Sequence, residues 1–269
     1  MKRKPSVAGI FYPSDPHELK KVVKRLILPK TNKEPAVCVV SPHAGFVYSG
    51  AVAGAVFSSV DLPESCVLIG PSHRHQSSHF PVMSHGTWET PLGDVPVDSR
   101  LAESMLEASH LFAEDSNAHM HEHSLEVQLP FLLYLQEKLR IVPISVAYYA
   151  DFEELEELGT AIARVIKQSG RNILIVASTD MSHYVPADIA KFKDSLAIDR
   201  ILALDPRGLY EIVRKEEISM CGFQATTAAL YAAKILGAQR AELVKYQNSG
   251  DVSGDYQEVV GYAGIKITG

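Results

Sequence analysis

Short apolar runs alternate along the chain with longer segments whose apolar positions recur every three or four residues. "AVCVVS" (36–41), "CVLIG" (66–70), "IVPISVA" (141–147) and "NILIVAS" (172–178) are apolar almost throughout and rich in valine and isoleucine, so they predict buried strands. "YQEVVGYAGIKI" near the end predicts one more. Helical spacing runs through 15–27, 100–110, 151–170, 193–204 and 226–237, and Asp151 and Gly170 bracket the third of these as cap and stop. Strands apolar on both faces, separated by helices, predict an α/β fold: a central, mostly parallel or mixed sheet flanked by helices on both faces. No repeat, low-complexity tract or linker interrupts the pattern, so residues 1–269 are read as a single domain.

Composition narrows the setting. The chain is 46% hydrophobic and 22% charged, as expected of a globular protein. A net charge of −6 with no basic stripe argues against a nucleic-acid partner. No apolar run approaches the roughly 18 residues of a membrane span. "MKRKPSVAGIFYPSDP" is too short and too broken by proline to be a signal peptide. Three widely separated cysteines make no disulfide framework, so a reducing, cytoplasmic location is expected.

In sheets of this kind ligands gather beyond the carboxyl ends of the strands. "PHAGFVYSG", "PSHRHQSSH" and "TDMSHYVP" each follow a predicted strand, so three histidine-bearing segments are expected to converge. The first brings His43, with Gly45 and Gly50 allowing close backbone approach and Phe46 and Tyr48 read as packing residues. In the second, His73 lies nearest the strand end and is the expected ligand; His75 is expected to support it from outside, and His79 to lie at the surface. The third places Asp180 three residues before His183, a carboxylate and imidazole suited to general acid/base work, with Asp180 alternatively a metal ligand or a turn former.

Two further segments carry chemistry. "HMHEHSLEVQLPFL" alternates His119, His121 and His123, but an H-E-x-x-H reading from His121 fails because Leu125 occupies the last position. His123 is expected to orient substrate or donate protons, with Glu122 or Glu126 on its other ring nitrogen, and Pro130 to begin or kink a helix. Cys221 precedes a strong helical pattern, where a helix N-terminus lowers a thiol's pKa and suits it to metal ligation or nucleophilic attack. Cys38 and Cys66 lie in or beside apolar strands and read as inert core residues, and His17, His85 and His110 have no companion chemistry. The residues alone thus suggest a metal site of His43, His73 and one anionic ligand, Asp180 or Cys221, with His183 free for proton transfer. Two histidines and an anion suit non-haem Fe(II), and a thiolate widens the choice to copper(I) and zinc.

"PHAGFVYSG", "GPSH", "EHSLEVQLPFL", "STDMSHY" and "MCGF", in this order, resemble the Memo family, whose prokaryotic members are called AmmeMemoRadiSam system protein B. The resemblance runs from "AGIFYP" to the C-terminal "GYAGI". It implies the fold of class III extradiol dioxygenases such as protocatechuate 4,5-dioxygenase. It also implies that His43, His73 and Cys221 match metal ligands, and that Asp180 and His183 match further pocket residues, His183 as acid/base. The dioxygenases use a glutamate where this chain offers Cys221, which argues against catechol cleavage because a thiolate changes redox potential and metal preference. Partner proteins of the AMMECR and radical SAM types are implied by the same resemblance, as are the phosphotyrosine-peptide binding and the iron or copper redox chemistry associated with animal Memo. The expected function is metal-dependent redox or dioxygenase-like chemistry on a small substrate, with Fe(II) first and copper or zinc next. The alternatives are a metal-dependent hydrolase, with His183 or Asp180 as base, and a non-catalytic module that binds a peptide or protein in the same pocket.

Overall fold

In the computed structural model, which describes residues 1–29, 33–74 and 78–269, the predicted strands lie side by side in a nine-stranded sheet. In chain order its strands are β1 (Cys38–Ser41), β2 (Ser65–Pro71), β3 (Phe80–Val82), β4 (Phe112–Glu114), β5 (Arg140–Val146), β6 (Ile173–Ser178), β7 (His183–Val185), β8 (Arg240–Asn248) and β9 (Val259–Thr268). The spatial order is β7-β9-β1-β6-β2-β5-β3-β4, with β8 also on β9. The inner strands β1, β6, β2 and β5 run parallel, and β9 joins β1 antiparallel. Every residue of β1, β2 and β6 is buried, which is why these strands read as continuous apolar runs and not as alternation.

The helices longer than one turn are α1 (Pro16–Leu26), α2 (Phe46–Ser58), α3 (Ser99–Ala108), α4 (Leu129–Leu135), α5 (Phe152–Ser169), α6 (Ala187–Leu202), α7 (Pro206–Lys215) and α8 (Phe223–Ile235). On one face α8 lies against β1, β2, β5 and β6, backed by α5 and α7; on the other, α2 lies against β1 and β9, with α1 and α4 behind it. Asp151 forms a capping box with Glu154, and Gly170 ends α5 at φ 64°, as the sequence predicts. Pro130 stands in the first turn of α4, so the helix begins there without a kink.

Helix α2 is absent from the predicted pattern for a physical reason. Ten of its thirteen residues are buried, so it presents no polar face and no helical period to read. Helix α7 is short, and its Pro206 and Gly208 resemble loop punctuation; Pro206 in fact opens it, capped by Asp205. Among the described residues, no helix is long and apolar enough to cross a membrane.

Candidate metal centre

Strands β1, β2 and β6 end side by side, and the chain leaving each turns over the same edge of the sheet. Pro42 and His43 follow β1, His73 follows β2, and Asp180 and His183 follow β6. The segment before α4 adds His123 from the side. His43, His73 and His123 each offer a ring nitrogen, and these three atoms lie within 4.8 Å of one another. The His73 and His123 rings are stacked at 4.5 Å between centroids; His43 stands edge-on to both, at 5.2 and 5.5 Å. Phe11 packs its ring against His123 at 4.9 Å and walls the cluster on the side of the N-terminal segment.

The loops are held by buried carboxylates. Glu122, 1% exposed, accepts from His73 Nδ1 at 2.9 Å and from the backbone N–H groups of His73, His123 and Ser124. A carboxylate only accepts, so His73 Nδ1 donates to Glu122, and in the neutral ring Nε2 is the nitrogen that faces an ion. Burial alone would raise the Glu122 carboxyl, but the bond to His73 and the backbone donors hold it well below the usual carboxylate range. Asp180 accepts the backbone N–H of His43 at 2.8 Å, and burial still pushes its carboxyl up to about 6. Burial also drives His43 well below an ordinary histidine and lowers His123, so these rings are neutral donors.

Cys221, expected to join His43 and His73, stands beside His43 but outside the three-histidine group, in which His123 takes the third place. Its Sγ lies 3.4 Å from His43 Nε2 and accepts the backbone N–H of Asp180 at 3.3 Å. Gly222 permits this approach: a Cβ there would sit 2.4 Å from the Ser178 carbonyl oxygen and 2.7 Å from Thr179 Cβ. The expected lowering of the thiol's pKa is not found. Burial, then the neighbouring Asp180 carboxylate, raise it, outweighing the position ahead of α8, so the thiol keeps its proton in the metal-free site.

Other expectations are corrected by where the partners lie. Asp180 does not orient the His183 ring; the Ser219 carbonyl does, 2.8 Å from Nδ1, while His183 N–H donates to Ser219 Oγ. Because a carbonyl only accepts, Nδ1 is the donor here, and in the neutral ring Nε2 is the nitrogen left to accept a proton. The strand register shifts between His183 and Val185, with Tyr184 at φ 56°, a bulge that re-aims the residues on either side of it. Glu126 does not serve His123 either: it pairs with Arg3 at 2.7 Å and accepts from Ser6 N, Val7 N and Tyr12 Oη. Glu122 is the nearer carboxylate, 3.6 Å from His123 Nδ1. His79 is turned to Glu154 and Tyr149, outside the cluster, and His75 lies outside the described residues.

Of the two carboxylates the sequence offered to His123, Glu122 is beside it but bonds His73 more closely, and Arg3 was missed altogether. Arg3 is fully buried, bonds the His119 and Glu122 carbonyls, and lies 4.0 Å over the Trp88 ring. Only the basic character of "MKRK" was legible in the sequence.

The donor chemistry fits a borderline transition ion: three imidazoles, one backed by a carboxylate, with a sulfur beside one of them. Comparisons with known proteins agree with the whole-chain resemblance. The Memo-like protein family matches residues 3–266. A MEMO1 family protein of Methanopyrus kandleri is 44% identical over 98% of both chains, and one of Aquifex aeolicus is 41% identical, again over 98% of both. The crystal structure of an uncharacterized protein from Escherichia coli K12 is similar in fold, with a TM-score of 0.55 at 13% identity, covering 83% of this chain and 98% of that one. With 44% identity and a family match from residue 3 to residue 266, the chain belongs to the Memo-like protein family.

Proposed function

We propose that this protein holds a single redox-active transition-metal ion, Fe(II) or copper, and acts through it on a small-molecule substrate. The observation that carries the reading is the meeting of His43, His73 and His123, from three separate segments, with their ring nitrogens within 4.8 Å. Cys221 Sγ, beside His43, is the fourth donor once its proton is lost. Imidazole suits iron, copper and zinc alike, while a thiolate favours copper(I) and zinc and shifts the potential of iron. The bound ion would supply electron transfer and Lewis acidity at the mouth of the loops.

The chain's own groups divide the remaining work. His183, with its proton fixed on Nδ1 by the Ser219 carbonyl, takes a proton from a substrate hydroxyl at Nε2. Asp180 anchors the backbone of His43, and Phe11 gives the substrate an apolar wall next to His123. A second reading, a zinc-dependent hydrolase, is favoured by the three-imidazole donor set, in which burial keeps His43 and His123 neutral: imidazole ligands leave an ion's charge undiminished, which suits it to activating water.

Metal analysis after anaerobic purification separates them. Stoichiometric iron or copper, lost in His43→Ala and His73→Ala, supports the redox reading. Zinc, with esterase or amidase turnover, replaces it with the hydrolase. A metal-free protein indifferent to both substitutions rejects both and leaves a binding module.

A further inference from the structure

The ring nitrogen that His43 turns away from the cluster, Nδ1, lies 2.8 Å from Ser178 Oγ, at the last position of β6. A hydroxyl has one proton to give and two lone pairs that accept. Ser178 gives its proton to the Ser124 carbonyl at 2.7 Å, and a carbonyl can only accept. Gln128 Nε2 donates into one lone pair of the same hydroxyl at 2.9 Å. The Gln128 amide cannot be turned over, because its Nε2 also donates to the Pro42 carbonyl at 3.0 Å. What Ser178 has left for His43 is a lone pair.

We infer that Ser178 is a positioning residue that holds His43 in the tautomer protonated at Nδ1, so that the bare Nε2 faces the donor cluster. The purpose assigned to this tautomer rests on the proposed metal reading; the tautomer itself does not. The far side of the ring is consistent with it. The Cys221 thiol stands 3.4 Å from His43 Nε2 and finds there an acceptor for its S–H, while its sulfur accepts the Asp180 N–H. Reversing the ring's protons would turn the thiol's S–H from this contact to the longer one with the Asp180 carbonyl, 3.7 Å from Sγ. It would also require the Ser178 hydroxyl to leave the Ser124 carbonyl, in a residue with no exposed surface. Two histidines of the cluster are thereby prepared from behind by different means: His73 by the charge of Glu122, His43 by the accounting of protons around a neutral hydroxyl.

The test is long-range 1H–15N correlation spectroscopy on the metal-free, full-length chain labelled at histidine, with His43 assigned by its disappearance in His43→Gln. The expected wild-type spectrum shows a protonated Nδ1 and a bare Nε2. Ser178→Ala is expected to move the ring toward the other tautomer and to weaken binding of Fe(II) and Zn(II), read by chelator competition, by about ten- to a hundredfold. Ser178→Thr, which keeps a hydroxyl, is expected to restore both. A bare Nδ1 in the wild type overturns the inference, and so does a Ser178→Ala protein whose His43 shifts and metal affinity are unchanged. If Ser178→Ala does not fold, the wild-type spectrum decides alone. A wild type with the expected tautomer that binds no metal upholds Ser178 and overturns the metal reading instead.

Discussion

His73 Nδ1 lies 2.9 Å from Glu122 Oε1, and the other oxygen of that carboxylate accepts the backbone N–H of the same histidine. One buried side chain therefore fixes both the ring and the main chain of a metal-binding candidate. Glu122→Gln replaces an oxygen with an amide that donates, facing groups that also donate. It is expected to lower metal affinity about ten- to a hundredfold, the usual effect of removing a ligand's outer partner. Chelator competition against the wild type measures it, with circular dichroism showing that the fold is kept.

The Arg3–Glu126 pair, with both side chains 0% exposed, ties the N-terminal segment to the loop that carries His123. Arg3→Met leaves the Glu126 carboxylate buried with its countercharge gone, a change that typically costs roughly 3–5 kcal/mol. Urea denaturation is expected to show a lower midpoint with little change in slope.

Gly222 is the point at which the Cys221 turn passes over the end of β6. In Gly222→Ala the new Cβ meets the Ser178 carbonyl at 2.4 Å, with backbone on one side and Thr179 on the other, so nothing flexible can yield. Overpacking of this kind costs about 1–3 kcal/mol. The expected result is a lower melting temperature, together with a Cys221 thiol that reacts faster with a disulfide reagent than in the wild type.

Asp180 gives the protein a pH dependence with a definite sign. In the unfolded chain it titrates near 3.8 and in the folded protein at about 6, because burial disfavours its charge. Between these values the folded state keeps a proton that the unfolded state has lost. As pH rises through that window the folded protein loses stability, by on the order of 3 kcal/mol in all. Asp180→Asn, whose carbonyl can still accept from His43, is expected to be more stable than the metal-free wild type above pH 6. The advantage should shrink as pH falls toward 3.8. Denaturant titrations of both proteins across that range check the crossover.

The central strands and α5 with its two caps were legible because burial on both faces and capping chemistry leave local marks. The placement of His43, His73 and His183 at one edge was legible too, since strand ends in a parallel sheet converge. Helix α2 was not, because burial on all sides erases the period that marks a helix. Neither was the division of labour among the carboxylates. Glu122 and Glu126 lie in the same short segment, and which of them faces His73 and which faces Arg3 depends on contacts 49 and more than 100 residues away. The direction of the Cys221 shift was misread for a related reason: a helix N-terminus is visible in sequence, whereas desolvation is a property of the finished fold.

The order of synthesis gives the Arg3 anchor a consequence of its own. Arg3 leaves the ribosome 119 residues before its partner Glu122, and His43 leaves 178 residues before Cys221. Meanwhile β1, which begins the donor set, waits for β9, near the end of the chain, to cover its flank. Closing loops of this length is unfavourable until many contacts form together. A donor set gathered from such distant segments comes together only with the sheet that carries it, so on the proposed reading an ion is expected to bind the folded chain and not the unfolded one.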